Sequence, residues 1–205
     1  MRKEFLLSAF FAVLTSVGGT LTVPMYPVPM TMQTFFVLTS GLLLGPKYGP
    51  LSQILYVVMG LAGLPMFAGG TGGLHHVFSP SFGFLVGFIA ASWTAGFLVS
   101  PKQAAGPRTA FQYALACCAA TVVLYTVALP CFYLNMNYVT GVPMTLTGVF
   151  QAALIPFVIP DALKAAAAGV LARQAIPMLR SAGLLPCQNR HDGRNRGGSA
   201  ERYEH

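Results

Sequence analysis

Between Phe5 and Val170 the chain carries one acidic residue, Asp161. Only 8% of its 205 residues are charged and 55% are hydrophobic, against about 25% charged in an ordinary soluble domain. A surface made from so few charges would show large contiguous apolar patches to water. The chain is therefore read as an integral membrane protein. A net charge of +7 raises nucleic acid as a partner. The basic residues, however, sit between apolar runs and in the C-terminal tail rather than along one face, which excludes that class.

Glycine and proline clusters punctuate the apolar runs. They predict helices near 5–22, 32–45, 48–64, 82–100, 109–132 and 159–177, an all-α architecture. The second and third are separated only by "GPKYG", so they should form an antiparallel hairpin. A further apolar piece, 145–157, is bounded by Pro156 and Pro160 and reads as a short or re-entrant helix. The N-terminus resembles a signal peptide in its basic start and apolar core. Without a clean A-x-A site it reads as the first spanning helix.

Lysine and arginine test this count. Arg2 and Lys3 precede the first helix, Lys47 divides the second from the third, and Lys102 and Arg108 divide the fourth from the fifth. Arg173 falls at the end of the sixth, and Arg180 and the tail follow it. Loops near 23–31, 65–81 and 133–158 contain neither lysine nor arginine. Such alternation is what the positive-inside rule requires of six spans with both termini cytoplasmic. Residues 1–180 form the transmembrane, substrate-binding domain of this reading, and 181–205 a basic, disordered cytoplasmic tail.

The uncharged loops are rich in Pro, Gly, Met and aromatics, a composition suited to lining a cavity at membrane depth. Thr31 and Thr145, each in a "VPMT" sequence, are placed to cap the helices that follow.

Asp161 and Lys164 stand at i, i+3 in "FVIPDALKAA" and share one helix face. Each costs roughly 2.5–3.5 kcal/mol at the centre of a span, and packing alone would be served as well by apolar residues. Just after Pro160 they also lie close to the expected helix start, with its free N–H groups. A small polar ligand with donors and acceptors fits this set. Gln33, Gly73, His75 and His76 are further candidate ligand contacts. Asn135 and Asn137 read better as satisfied loop residues. Two adjacent histidines without a carboxylate or cysteine nearby are a weak metal set, so no metal is expected. Cys117, Cys118, Cys131 and Cys187 show no metal spacing and read as apolar filler.

No catalytic constellation and no P-loop is present, so the chain is not read as an enzyme and any ATP is used by a partner. Ser8, Ala12 and Ser16 recur at intervals of four. Small residues at that spacing permit close helix approach, either within this chain or as a docking face for a partner subunit. Ala165 and Gly169 repeat the pattern in the last helix.

The segments "PVPMTMQTFFVLTSGLLLGPKYG", "GLAGLPMFAGGTGGL", "SPSFGFLVGF" and "IPDALKAA", in this order, resemble BioY, the biotin-binding S component of energy-coupling factor (ECF) transporters. The resemblance covers nearly all of residues 5–177. It implies the ECF S-component fold, biotin held under the loop joining the first two helices, and ligand binding by Asp161 and Lys164. It also implies a bacterial plasma-membrane location, with a membrane coupling subunit docked on helix one and ATPase subunits supplying energy. A homo-oligomer is the alternative assembly. Two positions depart from the family pattern: His76 and Phe84 stand where tyrosine is usual. No arginine occupies the outer half of the fourth helix to take the biotin carboxylate. His75, His76 or backbone N–H groups at that helix start are candidates, and Lys164 is another, pairing either with the ureido carbonyl or with the carboxylate. A rival function is a proton-coupled or facilitative transporter that works without an ATPase partner.

Overall fold

Gly45 shapes the N-terminal half of the molecule. The computed structural model describes residues 2–99 and 109–182. In it, α1 (Arg2–Thr20) leads through a ribbon of β1 (Thr22–Val23) and β2 (Met30–Thr31) into α2 (Gln33–Leu61). At Gly45 the backbone of α2 takes φ 77°, a value that a residue with a Cβ adopts only with strain. Pro46 follows and removes an N–H donor. The chain reverses there, so Gln53 reaches back to donate to Ser40 Oγ at 3.0 Å. The expected hairpin is therefore present, with its turn at the start of "GPKYG".

The remaining helices are α3 (Phe82–Leu98), α4 (Ala110–Leu134), α5 (Leu146–Ala153) and α6 (Ile155–Ser181). Counting the two limbs of α2 separately gives the six long segments of the sequence reading, plus the short α5. Two of them, Ala110–Val139 and Ile155–Leu179, are long and apolar enough to cross a bilayer by length and composition, while Phe82–Leu98 is apolar but shorter. The others fall short for physical reasons. Each limb of α2 is shorter than the roughly 20 residues of a full span, and α1 spends its first turn on Arg2, Lys3 and Glu4. The tail and the charges Lys102 and Arg108 lie outside the described residues.

Helix α3 packs between α2 and α4, and α6 packs on α4 and α2. Glycines set these distances. A Cβ at Gly41 would lie 2.3 Å from the Ser92 carbonyl oxygen, and one at Gly169 would lie 2.8 Å from Ala114 N. Large apolar side chains including Leu6, Phe111, Ile159 and Met178 point outward, as lipid-facing side chains do.

Two residues of the small face of α1 pack inside the chain. Ser8 and Ala12 are fully buried, and Ser8 Oγ donates to the Tyr48 carbonyl at 3.0 Å. Ser16 is half-buried. Close approach of α1 to the α2 turn is what these residues provide. Cys117 is buried while Cys118 is exposed, as opposite faces of α4 require.

A buried polar cluster joins α1, both limbs of α2 and α3. Gln53 Nε2 donates to Ser40 Oγ and Ser52 Oγ, and Ser40 Oγ pairs with Ser92 Oγ at 2.9 Å. Gln53 is fully buried, yet its Oε1 has no protein donor. An orphaned buried acceptor costs about 1–3 kcal/mol. Ser40 and Ser52 also donate within their own helices, so they tolerate loss of the amide. Gln53→Met is expected to leave thermal stability in detergent unchanged or raised. A lowered melting temperature would show that the cluster holds the helices together.

Candidate functional site

Three elements converge on the Asp161–Lys164 pair. Helix α6 presents Asp161 and Lys164 on one face, and Lys164 Nζ donates to Asp161 Oδ1 at 2.8 Å. From α4, Tyr125 OH donates to Asp161 Oδ2 at 2.6 Å. From β2, the Thr31 carbonyl accepts from Lys164 Nζ at 2.7 Å. All three ionisable side chains are buried, Asp161 to 4% exposure and Lys164 to 8%. Coulomb attraction and hydrogen bonding offset the cost of taking the charges out of water.

The helix start differs from expectation. α6 begins at Ile155, so Asp161 lies in the second turn, beyond the unpaired N–H groups of a helix N-terminus. Pro160 does not start the helix. It sits inside it, leaving the Pro156 carbonyl without its helical donor.

The bonding of the pair is incomplete by capacity. A carboxylate offers about four acceptor sites and an ammonium three donors. One protein donor meets each Asp161 oxygen, and two protein acceptors meet Lys164 Nζ. Room remains for two donors on Asp161 and one acceptor on Lys164. These groups line a cavity of about 250 Å³. Its other walls are the loop residues Pro27, Val28 and Pro29 and the apolar rings of Phe67, Phe84, Phe88 and Phe157.

Gln33 lines the cavity, but its side chain is already engaged. Its Nε2 donates to Tyr56 OH, and its Oε1 accepts from Thr31 Oγ1 at 3.0 Å. Gln33 thereby fixes Thr31, whose carbonyl holds Lys164. Thr31 is not the cap it was expected to be: Met32 is the N-cap of α2, with no side-chain cap bond, and Thr31 Oγ1 accepts from Gln33 N at 3.3 Å. Thr145 caps α5 as expected, accepting from Gly148 N at 3.2 Å.

His76 lines the cavity from the 3₁₀ turn Leu74–Phe78. Its Nε2 is buried and has no protein partner, and its ring meets the Phe67 ring edge-on at 5.0 Å. Burial, with His75 beside it, lowers the His76 pKa from the usual 6.5. His75 is exposed and stands outside the lining, as does Gly73. Gly73 instead shapes the turn, with φ 113° and its N–H donating to the Gly60 carbonyl at 2.8 Å. The asparagines serve the loops: Asn135 Nδ2 donates to the Phe78 carbonyl at 3.0 Å and Asn137 Nδ2 to the Met144 carbonyl at 3.1 Å.

Sequence reasoning missed Tyr125, Ser79 and Ser81 as cavity residues. For Tyr125 a signal existed: a phenol in the middle of an apolar helix needs a polar partner. Phe84, a departure from the family pattern, packs edge-on against Tyr125 at 6.2 Å.

The architecture and this site can be set beside known proteins. The chain is 33% identical over 179 residues to a probable biotin transporter BioY of Lysinibacillus sphaericus, covering 87% of this chain and 89% of the relative. It is 36% identical over 172 residues to a probable biotin transporter BioY of Pyrococcus horikoshii, covering 84% and 95%. The crystal structure of an S-component for biotin from an ECF-type ABC transporter superposes with a TM-score of 0.74 at 25% identity, over 88% of this chain and 92% of the other. The family model for BioY matches residues 2–181. With the matched length running from the start of α1 to the end of α6, the chain belongs to the BioY family.

Proposed function

We propose that this membrane protein is the biotin-specific S component of an ECF transporter, capturing biotin at the outer face of the bacterial plasma membrane for uptake. One observation carries the reading: the buried Asp161–Lys164 pair faces a cavity with two acceptor sites and one donor unused. A ureido ring offers two N–H donors and one carbonyl acceptor, the complement of that set. Asp161 accepts from the ureido nitrogens, Lys164 donates to the ureido oxygen, and Tyr125 holds the carboxylate in position. The aromatic wall suits the thiophane ring and methylene tail. Coupling and ATPase subunits supply the energy, since the chain has no nucleotide-binding motif of its own.

The deciding experiment is binding of labelled biotin to the purified full chain, with thiamine and riboflavin as competitors. Displacement by biotin alone supports the reading. Failure to bind biotin overturns it. Uptake that persists without ATPase subunits but collapses with the proton gradient would favour the proton-coupled alternative.

The lysine and arginine alternation supports six spans with cytoplasmic termini. Single cysteines at Lys47, Lys102 and Arg190 are expected to resist an impermeant thiol reagent in intact cells. Strong labelling at any of them would rule out this topology.

A further inference from the structure

The cavity has a second polar group in its lining, on the segment that leads into α3 rather than on α6. His76, Ser79 and Ser81 line it together. Among the described residues Lys164 is the lone cation in the lining, and Asp161 and Thr31 already hold two of its donors. With the third Lys164 donor given to the ureido oxygen in the reading above, an anionic group on the ligand takes its donors from other residues. His76 Nε2 is buried, lines the cavity and has no protein partner. Ser79 Oγ and Ser81 Oγ pair with each other at 2.9 Å. Such a pair uses one of its two protons internally, so one hydroxyl proton remains to donate. Phe67, which meets the His76 ring, and Phe84, which meets the Tyr125 ring, line the same cavity, a wall suited to methylene groups.

We infer that His76, with the Ser79–Ser81 hydroxyl pair, receives the carboxylate of the ligand and sets the preference for an anionic tail. The inference rests on the biotin reading above and assigns the opposite end of the molecule. It makes recognition of the carboxylate depend on an imidazole rather than on a permanent cation. Burial and His75 lower the His76 pKa from the usual 6.5, which favours the neutral imidazole. An arriving carboxylate favours the imidazolium, so binding takes up a proton. Affinity therefore rises as pH falls, by at most about tenfold for each unit by which the carboxylate raises the imidazole pKa.

The ionisable groups facing the cavity are Asp161, Lys164 and Tyr125 from the helices and His76 from the loop. His75 lies against His76 with ring centroids 4.4 Å apart and the rings tilted by 40°, and Tyr56 meets Phe67 edge-on at 5.7 Å. Of the two described histidines, His76 lines the cavity and His75 does not, so His75→Asn serves as the control for direct contact.

The test compares biotin with biotinamide, in which a neutral amide replaces the carboxylate, on the purified full chain from about pH 8 to about pH 5.5. Wild type should prefer biotin, with the preference growing as pH falls. His76→Phe should lose about 10- to 100-fold in biotin affinity, the value of a hydrogen bond to a charged group. It should bind biotinamide nearly as wild type does and lose the pH slope, whereas His75→Asn should keep that slope. Equal wild-type affinity for both probes at every pH overturns the inference while leaving the biotin reading intact, and needs no variant to fold. An unchanged biotin pH slope in His76→Phe overturns it as well. If wild type binds neither probe, the biotin reading itself falls and takes this inference with it.

Discussion

Asp161→Asn is expected to weaken biotin binding by about 30- to several-thousand-fold. Truncating one partner of a buried, hydrogen-bonded charge pair costs roughly 2–5 kcal/mol, which converts to that range. The amide keeps the shape and one acceptor. It removes the negative charge that attracts two ligand N–H groups and leaves Lys164 buried with the Thr31 carbonyl as its remaining partner. Lys164→Met keeps the apolar stem and removes the donor, and should cost a similar amount. Tyr125→Phe deletes only the 2.6 Å bond to Oδ2 and should cost less, about 1.5–3 kcal/mol for a bond to a charged group. Equilibrium binding of labelled biotin to each folded variant checks the order. A well-folded Asp161→Asn, Lys164→Met double variant that binds biotin normally would reduce the pair to a structural tie.

Gly41→Leu is expected to destabilise the protein more than any single change at the ligand. At Gly41 a Cβ alone would stand 2.3 Å from the Ser92 carbonyl oxygen and 2.9 Å from Ala95 Cβ. Both neighbours belong to α3, and one is backbone, so relief requires moving a helix rather than a side chain. Overpacking of this kind costs about 1–3 kcal/mol and occasionally more. Gly41→Ala recovers up to about 1 kcal/mol through helix propensity and should be the milder variant. Melting in detergent with and without biotin separates the effects. Both variants should melt lower, and any surviving folded fraction of Gly41→Ala should still bind. A wild-type melting temperature for Gly41→Leu would mean that α2 and α3 are not held this closely.

Much of this architecture was legible because lipid leaves few options. Backbone groups in a bilayer must be satisfied within helices, so apolar runs and their punctuation mark the segments. Gly45 and Pro46 announced the reversal of α2 in the same way. The Asp161–Lys164 pair stood out because carboxylates are otherwise absent there. The start of α6 was misplaced because Pro156 and Pro160 looked like breaks. Pro156 occupies the first turn, where its missing N–H costs nothing, and Pro160 forfeits one bond that packing replaces. Thr22–Val23 and Met30–Thr31 were too short to show any period. Gln33 was recognisable as polar, but nothing in the sequence pairs it with Tyr56, 23 positions away. The spacing of Ser8, Ala12 and Ser16 implied a close helix neighbour without saying whose, and the neighbour is α2.

The bond from Lys164 to the Thr31 carbonyl spans 133 positions of chain. It ties the first ribbon to the last helix. During synthesis the ribbon and α2 emerge well before α6 exists, so the recognition site is among the last features to be assembled. Fragments that stop short of residue 164 should enter the membrane yet have no affinity for the vitamin. Once the last helix is in place, vitamin already present would bind only the finished protein and draw it away from incompletely folded forms by mass action. The supply of ligand would then influence how much of the newly made protein survives, before any molecule is carried across.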